Sequence, residues 1–127
     1  MAALVAAEAN RLLDASFLTA TYTAPTTPMK LALVTVIGTA TTAGTEVTGG
    51  SYARQTLAMG AAASGSCSNS GVINFTNMPI ATVVGVDVWD NAGTPRRQWF
   101  GALTTNRTTA AGDSISFAIA SLVASLT

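Results

Sequence analysis

The chain has 127 residues, which is enough for one packed domain, and its six basic and six acidic residues leave no net charge. Charged residues make up only 9% of the chain, compared with about 25% in typical soluble domains. Histidine is absent, which excludes Ser-His-Asp and Cys-His catalysis, and the neutral charge argues against long-range attraction to nucleic acids or acidic membranes. Because proteins of low net charge associate readily, we expect protein partners to cover this surface.

The first predicted element is a helix over residues 3–19. Its apolar residues recur at three- and four-residue intervals, at Val5, Ala9, Leu12, Leu13 and Phe17. The following segment, Thr21–Pro28, contains two prolines and four threonines, which predict an extended arm. We therefore divide the chain into residues 1–28, the helix and arm, and residues 29–127, a β domain. No segment has the roughly 20 apolar residues of a membrane span or the pattern of a secretion signal, so we expect a protein made in the cytoplasm.

From residue 29 onward the pattern changes to short strands. The segment 29–37 predicts a central strand, because both of its faces are apolar: Met29, Leu31, Leu33 and Ile37 on one face, and Ala32, Val34 and Val36 on the other. Further strands are predicted in SYARQTLAM (51–59), GVINF (71–75), TVVGVDVWD (82–90), RRQWFGAL (96–103) and ISFAIASLV (115–123).

The side-chain phase of the later strands gives a predicted core. One face of the 82–90 strand carries Val84, Val86 and Val88, and the final strand carries Ile115, Phe117, Ile119 and Val123 in phase. The turn DNAGTP (90–95) places Asn91 and Gly93 where a positive φ is expected, and TTAAGDS (108–114) forms another turn. The spacing predicts an all-β fold: an antiparallel, jelly-roll-like β-sandwich of about seven or eight strands, preceded by a short N-terminal α-helix and an extended arm.

The segment GTEVTGGS, Gly44–Ser51, has the glycine spacing of a phosphate-binding loop. Gly50 stands at the lysine position, however, and a strand rather than a helix is predicted to follow. We therefore interpret the segment as a turn in which Gly49 and Gly50 adopt positive φ. Glu46 and Arg54 lie on either side of this turn, so that they can pair within one subunit or between two.

The acidic residues and the cysteine do not form a recognisable catalytic group. Asp87 and Asp90 are three apart in a predicted strand, which directs them to opposite faces and argues against a glycosidase carboxylate pair. Asp90 and Asp113 are predicted to cap their own turns. Cys67 is the single cysteine and has no histidine to activate it. A small hydrolase or sugar-active enzyme is thus the least favoured class, and we expect no catalytic residue, metal, cofactor or small-molecule substrate.

The best candidates for function are residues suited to a protein interface. Arg96, Arg97 and Arg107, with Trp99 nearby, are the nearest approach to a basic cluster. Arginine and aromatic residues can also bind single-stranded nucleic acid, but they are favoured anchors of protein interfaces, and we prefer that interpretation. Together with the helix, the predicted interface is Leu12, Leu13, Phe17, Arg96, Arg97, Trp99 and Arg107.

An ordered set of motifs covers nearly the whole chain. These are TAPTTPMKLAL behind the helix, GTEVTGGSYARQ, NSGVINFTNMP, VVGVDVWDNAG and GALTTNRTTAAGDSISF. In this order the motifs resemble those of a family of small virion proteins of tailed bacteriophages, which are labelled tail fibre or minor tail proteins or capsid decoration proteins. The resemblance implies a β-sandwich virion protein without catalytic residues.

This resemblance leads to two functional expectations. We expect first a capsid decoration protein that is made in the host cytoplasm and stabilises the head shell. Its partners would be the major capsid protein and copies of itself, with a trimer favoured, and it would bind no nucleic acid, membrane or small molecule. The alternative is a minor tail or tail fibre-associated protein with a host-binding role, which would use exposed loops such as Gly49–Gly50 and Asn91–Gly93.

Overall fold

The computed structural model describes residues 2–126, and this part of the chain forms one helix and ten strands of two to 13 residues. Their bounds are β1 (Ala2–Leu4), α1 (Ala6–Phe17), β2 (Met29–Val36), β3 (Thr45–Glu46), β4 (Gln55–Leu57), β5 (Ser66–Ser68), β6 (Ile73–Met78), β7 (Ala81–Trp89), β8 (Arg97–Thr109), β9 (Asp113–Phe117) and β10 (Val123–Ser125). The all-β fold with one short N-terminal helix is confirmed. The additional strands are all short, which is why their alternation was not recognisable in the sequence.

Eight strands form one curled sheet in the order β3-β2-β7-β8-β1-β10-β5, with β4 also paired to β2. Pairing is antiparallel except between β1 and β10, which run parallel. The two ends of the sheet approach each other: the Gly60 amide donates to the Ser68 carbonyl at 2.8 Å, and the Ser70 amide donates to the Ala58 carbonyl at 2.9 Å. These bonds pair backbone that would otherwise be an open sheet edge.

The strands β6 and β9 form a separate two-stranded ribbon that packs on the inner face of the curled sheet. Phe75 is central to this contact, with its ring stacked on Tyr52 at 5.9 Å and edge-on to Phe117 at 6.2 Å. The ribbon and the sheet together bury a core that includes Leu31, Leu33, Val47, Leu57, Ile73, Phe75, Met78, Val83, Ile115 and Phe117. Because the ribbon has only two strands, it covers only part of the wider sheet.

The prediction of a strand buried on both faces is confirmed for the middle of β2 and is wrong for the end of the predicted segment, where Val36 and Ile37 are 58% and 40% exposed. Leu31 and Leu33 face the core, and Ala32 and Val34 are also fully buried. The segment after β2 folds back over the second face. A side chain at Gly85 would meet Ile37 at 3.1 Å and the Gly101 carbonyl at 2.5 Å, so the close cover at this position leaves no room for a side chain.

The predicted phase of β7 is wrong at its start. Val83 is fully buried beside Val86 and Val88, whereas Val84 is only half-buried. The cause is an irregularity in the pairing with β8: Val83 lies opposite Arg107 but Gly85 lies opposite Ala102, so β8 contains extra residues between these pairs. Such a bulge moves the inward-facing position by one residue, and alternation in β7 alone does not reveal it.

The final predicted strand is also divided. It ends at Phe117, and Ile119 and Val123 are 60% and 45% exposed instead of in the core. The chain turns where the Ser121 amide donates to the Ala118 carbonyl and then enters the curled sheet as β10. The segment 51–59 is likewise mostly irregular and forms a strand only at Gln55–Leu57.

The helix is shorter than predicted, because residues 2–4 form a strand and the helix ends at Phe17. Ala2–Leu4 pairs with β8, and α1 starts where the Val5 amide donates to the Gln98 carbonyl at 3.0 Å. The arm that follows α1 has no regular secondary structure, as expected. The boundary at residue 29 coincides with the start of β2, and the division into two parts stays a prediction. Within residues 2–126 no helix is long and apolar enough to cross a membrane.

Candidate interaction surface

Most of the few charged side chains are paired within the fold. Four ion pairs join Arg11 to Glu8, Arg54 to Glu46, Arg96 to Asp90 and Arg97 to Asp87. The first pair lies within α1, the second joins β3 to the segment after the glycine turn, the third lies in the turn between β7 and β8, and the fourth joins β7 to β8. These charges therefore stabilise the fold. The surface then has even fewer unpaired charges than the composition indicates.

The most buried of these pairs holds a loop against the outer face of the sheet. The Asp87 side chain is 2% exposed and that of Arg97 8%, with 3.2 Å between Oδ1 and Nη1. Asp87 also accepts the Gly44 amide at 3.0 Å, and Arg97 donates to the Thr39 carbonyl. One ion pair thus fixes both ends of the segment 39–44.

Asp90 caps the turn between β7 and β8, as predicted. Its Oδ1 accepts the Arg96 amide at 2.7 Å and the Ala92 amide at 3.4 Å, and its Oδ2 accepts the Thr26 amide at 3.3 Å. Burial by itself raises the pKa of the Asp90 carboxyl, but these amides and the Arg96 guanidinium outweigh burial and hold the pKa below its usual value. The carboxylate therefore stays charged and joins the arm to the turn.

Of two predictions about turn residues, the one for Asp113 is confirmed and the one for Asn91 and Gly93 is wrong. Asp113 caps its turn as expected by accepting the Ala110 amide at 2.8 Å. Asn91 and Gly93 do not adopt positive φ, because the Asp90 carboxylate shapes the turn instead. Asp87 and Asp90 each pair with a different arginine, so the two carboxylates form two separate structural ion pairs.

The segment GTEVTGGS is a glycine turn, as predicted, with φ of +102° at Gly49 and +56° at Gly50. Glu46 and Arg54 pair within one subunit: Arg54 Nη2 lies 2.8 Å from Glu46 Oε1, and Nε lies 3.1 Å from Oε2. Tyr52 donates to Glu46 at 2.8 Å and accepts the Leu33 amide at 2.9 Å. The hydrogen bond to the Glu46 carboxylate, with the ion pair, raises the pKa of Arg54, while burial opposes that rise.

The three arginines of the predicted basic cluster do not come together. Arg96 and Arg97 bind Asp90 and Asp87 near the start of β8, whereas Arg107 lies opposite Val83 of β7, six residues and roughly 20 Å from the position opposite Arg97. Arg107 is exposed and makes no ion pair within the described residues 2–126. The interface role of all three arginines stays a prediction. Of the three, Arg107 alone has a guanidinium that makes no ion pair within the described residues.

An apolar cavity of about 530 Å³ occupies the part of the curled sheet that the β6–β9 ribbon leaves uncovered. Its wall includes Trp99, one of the predicted interface residues, together with Met29, Met59, Leu103 and Leu122. Cys67, half-buried in β5, also lines the cavity, and so does the exposed Arg107. Sequence patterns missed the cavity, because its size depends on how far the ribbon extends across the sheet.

The end of α1 is the second apolar feature of the surface. Leu13, Phe17 and Leu18 are 54%, 78% and 71% exposed, whereas Leu12 is half-buried. The only buried residue of the helix is Glu8, which binds Arg11 and accepts a hydrogen bond from the Tyr22 hydroxyl. The helix therefore fixes its base by polar contacts and leaves its apolar end in solvent, which is the reverse of ordinary core packing.

One comparison with known protein families matches nearly the whole chain. The family model described as "Podophage GP4 fiber I protein gp80" matches residues 3–125, nearly the whole chain. No curated protein matches the chain. The tailed-phage resemblance is thus supported at the level of a virion fibre family. The chain belongs to this family of podophage fibre proteins, which are structural proteins of the virion.

Proposed function

We propose that this protein is a structural subunit of a phage fibre and that it acts by binding other virion proteins, including copies of itself. The observation that carries the proposal is the apolar cavity of about 530 Å³ on a chain whose exposed surface also presents large apolar side chains. Patches of this kind on a protein with little charge mark interaction sites. The match to a fibre protein family gives the assembly in which such contacts form.

A binding role also fits the chemistry of the cavity wall. The cavity lining within residues 2–126 contains no Asp or Glu, and Arg107 is its one charged residue. Four of the six acidic residues are neutralised by arginines elsewhere. General acid–base catalysis needs titratable groups that act together at the substrate, and Cys67 is the one weak acid among the described lining residues, which include no carboxylate or histidine. We therefore propose that the protein is not an enzyme.

Fibre assembly takes the place of our first expectation, capsid decoration. The family description names a fibre protein and supports the alternative from the sequence at least as well. The family description does not name the major capsid protein as a partner, and we propose self-association because large apolar side chains are exposed. The trimer stays a proposal. The host-binding role through the Gly49–Gly50 and Asn91–Gly93 loops stays a prediction that a cell-binding assay with purified protein tests.

The location can be tested directly in intact phage particles. A small epitope tag is inserted at Gly93, an exposed turn position where an added side chain meets no atom within 4 Å, and is labelled with an antibody fragment for electron cryomicroscopy. We expect the label on fibres at the tail. Label distributed over the head shell would contradict the proposal and support capsid decoration. Untagged particles with the same antibody fragment are the control.

A further inference from the structure

We propose that the end of α1 in one copy of the protein inserts into the apolar cavity of a neighbouring copy. The helix end is defined by Leu13, Asp14, Phe17 and Leu18, and the contact places Asp14 against Arg107 of the cavity wall. The inference rests on the proposed function, since it specifies how copies bind one another. Its occupant is a second copy of this chain, because the chain itself carries a surface that complements the cavity.

The apolar parts of the two surfaces match in character and size. Leu13 and Phe17 are four residues apart, as are Asp14 and Leu18, so the four side chains form two adjacent rows that together span roughly 140° around the helix end. A cavity of roughly 150 Å³ holds a benzene ring, so a volume of about 530 Å³ has space for about three side chains of that size. Leu13, Phe17 and Leu18 provide three, and they are highly exposed within their own subunit.

The charges of the two surfaces also match. Asp14 and Arg107 are the acid and the base whose side chains have neither an ion pair nor a hydrogen bond within the described residues. The remaining unpaired charges are used locally, since Lys30 donates to Thr56 and Asp113 accepts the Ala110 amide. Each of the two surfaces thus contributes one free charge, and the two charges are opposite.

The position of Asp14 gives a second reason for a cationic neighbour. The last turn of α1 contains no basic residue, so the Asp14 carboxylate lies beside the negative end of the helix dipole without compensation. Within its own subunit this arrangement is unfavourable. A guanidinium from another copy would neutralise the carboxylate and would be favourably placed beside the carbonyl groups at the helix end.

The contact is between subunits and head-to-tail. No residue of α1 lines the cavity of its own subunit among the described residues 2–126. Because the helix end and the cavity are different surfaces, each copy donates to one neighbour and accepts from another. Such a heterologous contact closes into a ring, for which a trimer is one solution, or continues as a filament.

The single native cysteine makes the test specific, because Cys67 lines the cavity. In the variant Phe17→Cys, treatment with a short bis-maleimide should join the new thiol to Cys67 of the next copy. Each chain then has one donor and one acceptor thiol, so denaturing gels should show dimers, trimers and larger products. Ile80→Cys is the matched control, since Ile80 is 79% exposed and lies outside both surfaces, and it should give no ladder.

Besides the absence of a ladder, two results of this experiment would overturn the inference. A cross-link within one chain would show that the helix end reaches its own cavity. Dimers that persist when Cys67→Ser is added would show a symmetric helix-to-helix contact instead. In the expected case Cys67→Ser abolishes every cross-linked product, dimers included, because the acceptor thiol is lost.

A charge exchange tests the same contact without cysteine chemistry. Asp14→Arg and Arg107→Asp should each weaken self-association in sedimentation velocity, whereas the double variant should recover most of the wild-type affinity. Far-ultraviolet circular dichroism verifies that all three variants are folded. Failure of the double variant to recover would contradict the Asp14–Arg107 pairing. These measurements use the isolated chain, so they are independent of the particle labelling: head labelling contradicts the fibre function alone, and a missing ladder contradicts this contact alone.

Discussion

At the scale of single residues, Gly50 shows how one backbone position shapes the chain. Its φ of +56° lies in the left-handed region, and a Cβ there would lie 2.9 Å from the Asn77 carbonyl oxygen and 3.0 Å from the Pro79 nitrogen. Both conditions exclude a side chain: the conformation disfavours L residues, and the space is filled by backbone. The glycine therefore serves close packing of the turn on the β6–β7 connection.

Gly50→Ala should accordingly lower the free energy of unfolding by about 2 kcal/mol, because alanine adds strain and a backbone clash. The measurement is urea unfolding followed by tryptophan fluorescence. Gly93→Ala is the control, since Gly93 has no positive φ and no atom within 4 Å of the added carbon. It should stay within about 0.5 kcal/mol of the wild type. Equal effects of the two substitutions would refute this account of Gly50.

The Asp87–Arg97 pair is the strongest test of the buried charges. Arg97→Met removes the guanidinium and leaves the Asp87 carboxylate buried without its partner, which should cost about 3 kcal/mol of stability. Lys30→Met is the control, because Lys30 makes one exposed hydrogen bond to Thr56, and its cost should remain below about 0.5 kcal/mol. Thermal and urea unfolding measure both. A cost for Arg97→Met no greater than that of the control would mean that the pair does not hold the 39–44 segment.

At the scale of elements, the attachment of α1 to the arm depends on a buried carboxylate. Glu8 is 3% exposed and accepts a hydrogen bond from Tyr22, which lies in the arm. Burial, followed by this hydrogen bond, raises the pKa of Tyr22 to about 12. The folded state thus binds the phenolic proton more tightly than the unfolded chain does. Stability from this group is complete below about pH 10 and is lost as the pH rises through about 12.

Glu8→Gln should move the pKa of Tyr22 down toward its ordinary value without reaching it, because burial persists. Ultraviolet absorbance of tyrosinate measures the titration, and the chain has only two tyrosines. Tyr52 titrates later, since burial and its hydrogen bond to Glu46 raise its pKa further. Asp14→Asn, on the exposed side of the same helix, should leave the Tyr22 titration unchanged. An unchanged titration in Glu8→Gln would argue against the Glu8–Tyr22 contact.

The elements also show where local pattern is sufficient and where it is not. The central strand β2 was predictable, because uninterrupted apolar character on both faces is a property of its own residues. The burial of Val83 instead of Val84 was not predictable from β7, because it is caused by extra residues in the partner strand β8. Ile119 and Val123 were assigned to the core by their phase with Phe117, but the chain leaves the ribbon after Phe117 and enters the other sheet as β10.

At the scale of the whole molecule, the low charge predicts how self-association responds to salt. The proposed contact contains one exposed ion pair, worth about 0.2–1 kcal/mol, and three apolar side chains. Screening that ion pair should raise the Kd for self-association at most about fivefold. Sedimentation velocity at low and high sodium chloride concentration provides the measurement. A rise of a hundredfold or more would indicate an electrostatic interface and would contradict an apolar one.

At the same scale, some features of the protein depend on local sequence and others depend on long-range contacts. The β class, the glycine turn at Gly49–Gly50 and the lack of histidine chemistry were all accessible from the sequence, because each depends on residue type or on neighbours a few positions away. The cavity beside Trp99, the separation of Arg107 from Arg96 and Arg97, and the exposure of Phe17 depend on which strands pair and how far the two-stranded ribbon extends across the sheet. Those are long-range contacts, and only the tertiary structure decides them, because the same local alternation is compatible with many pairings.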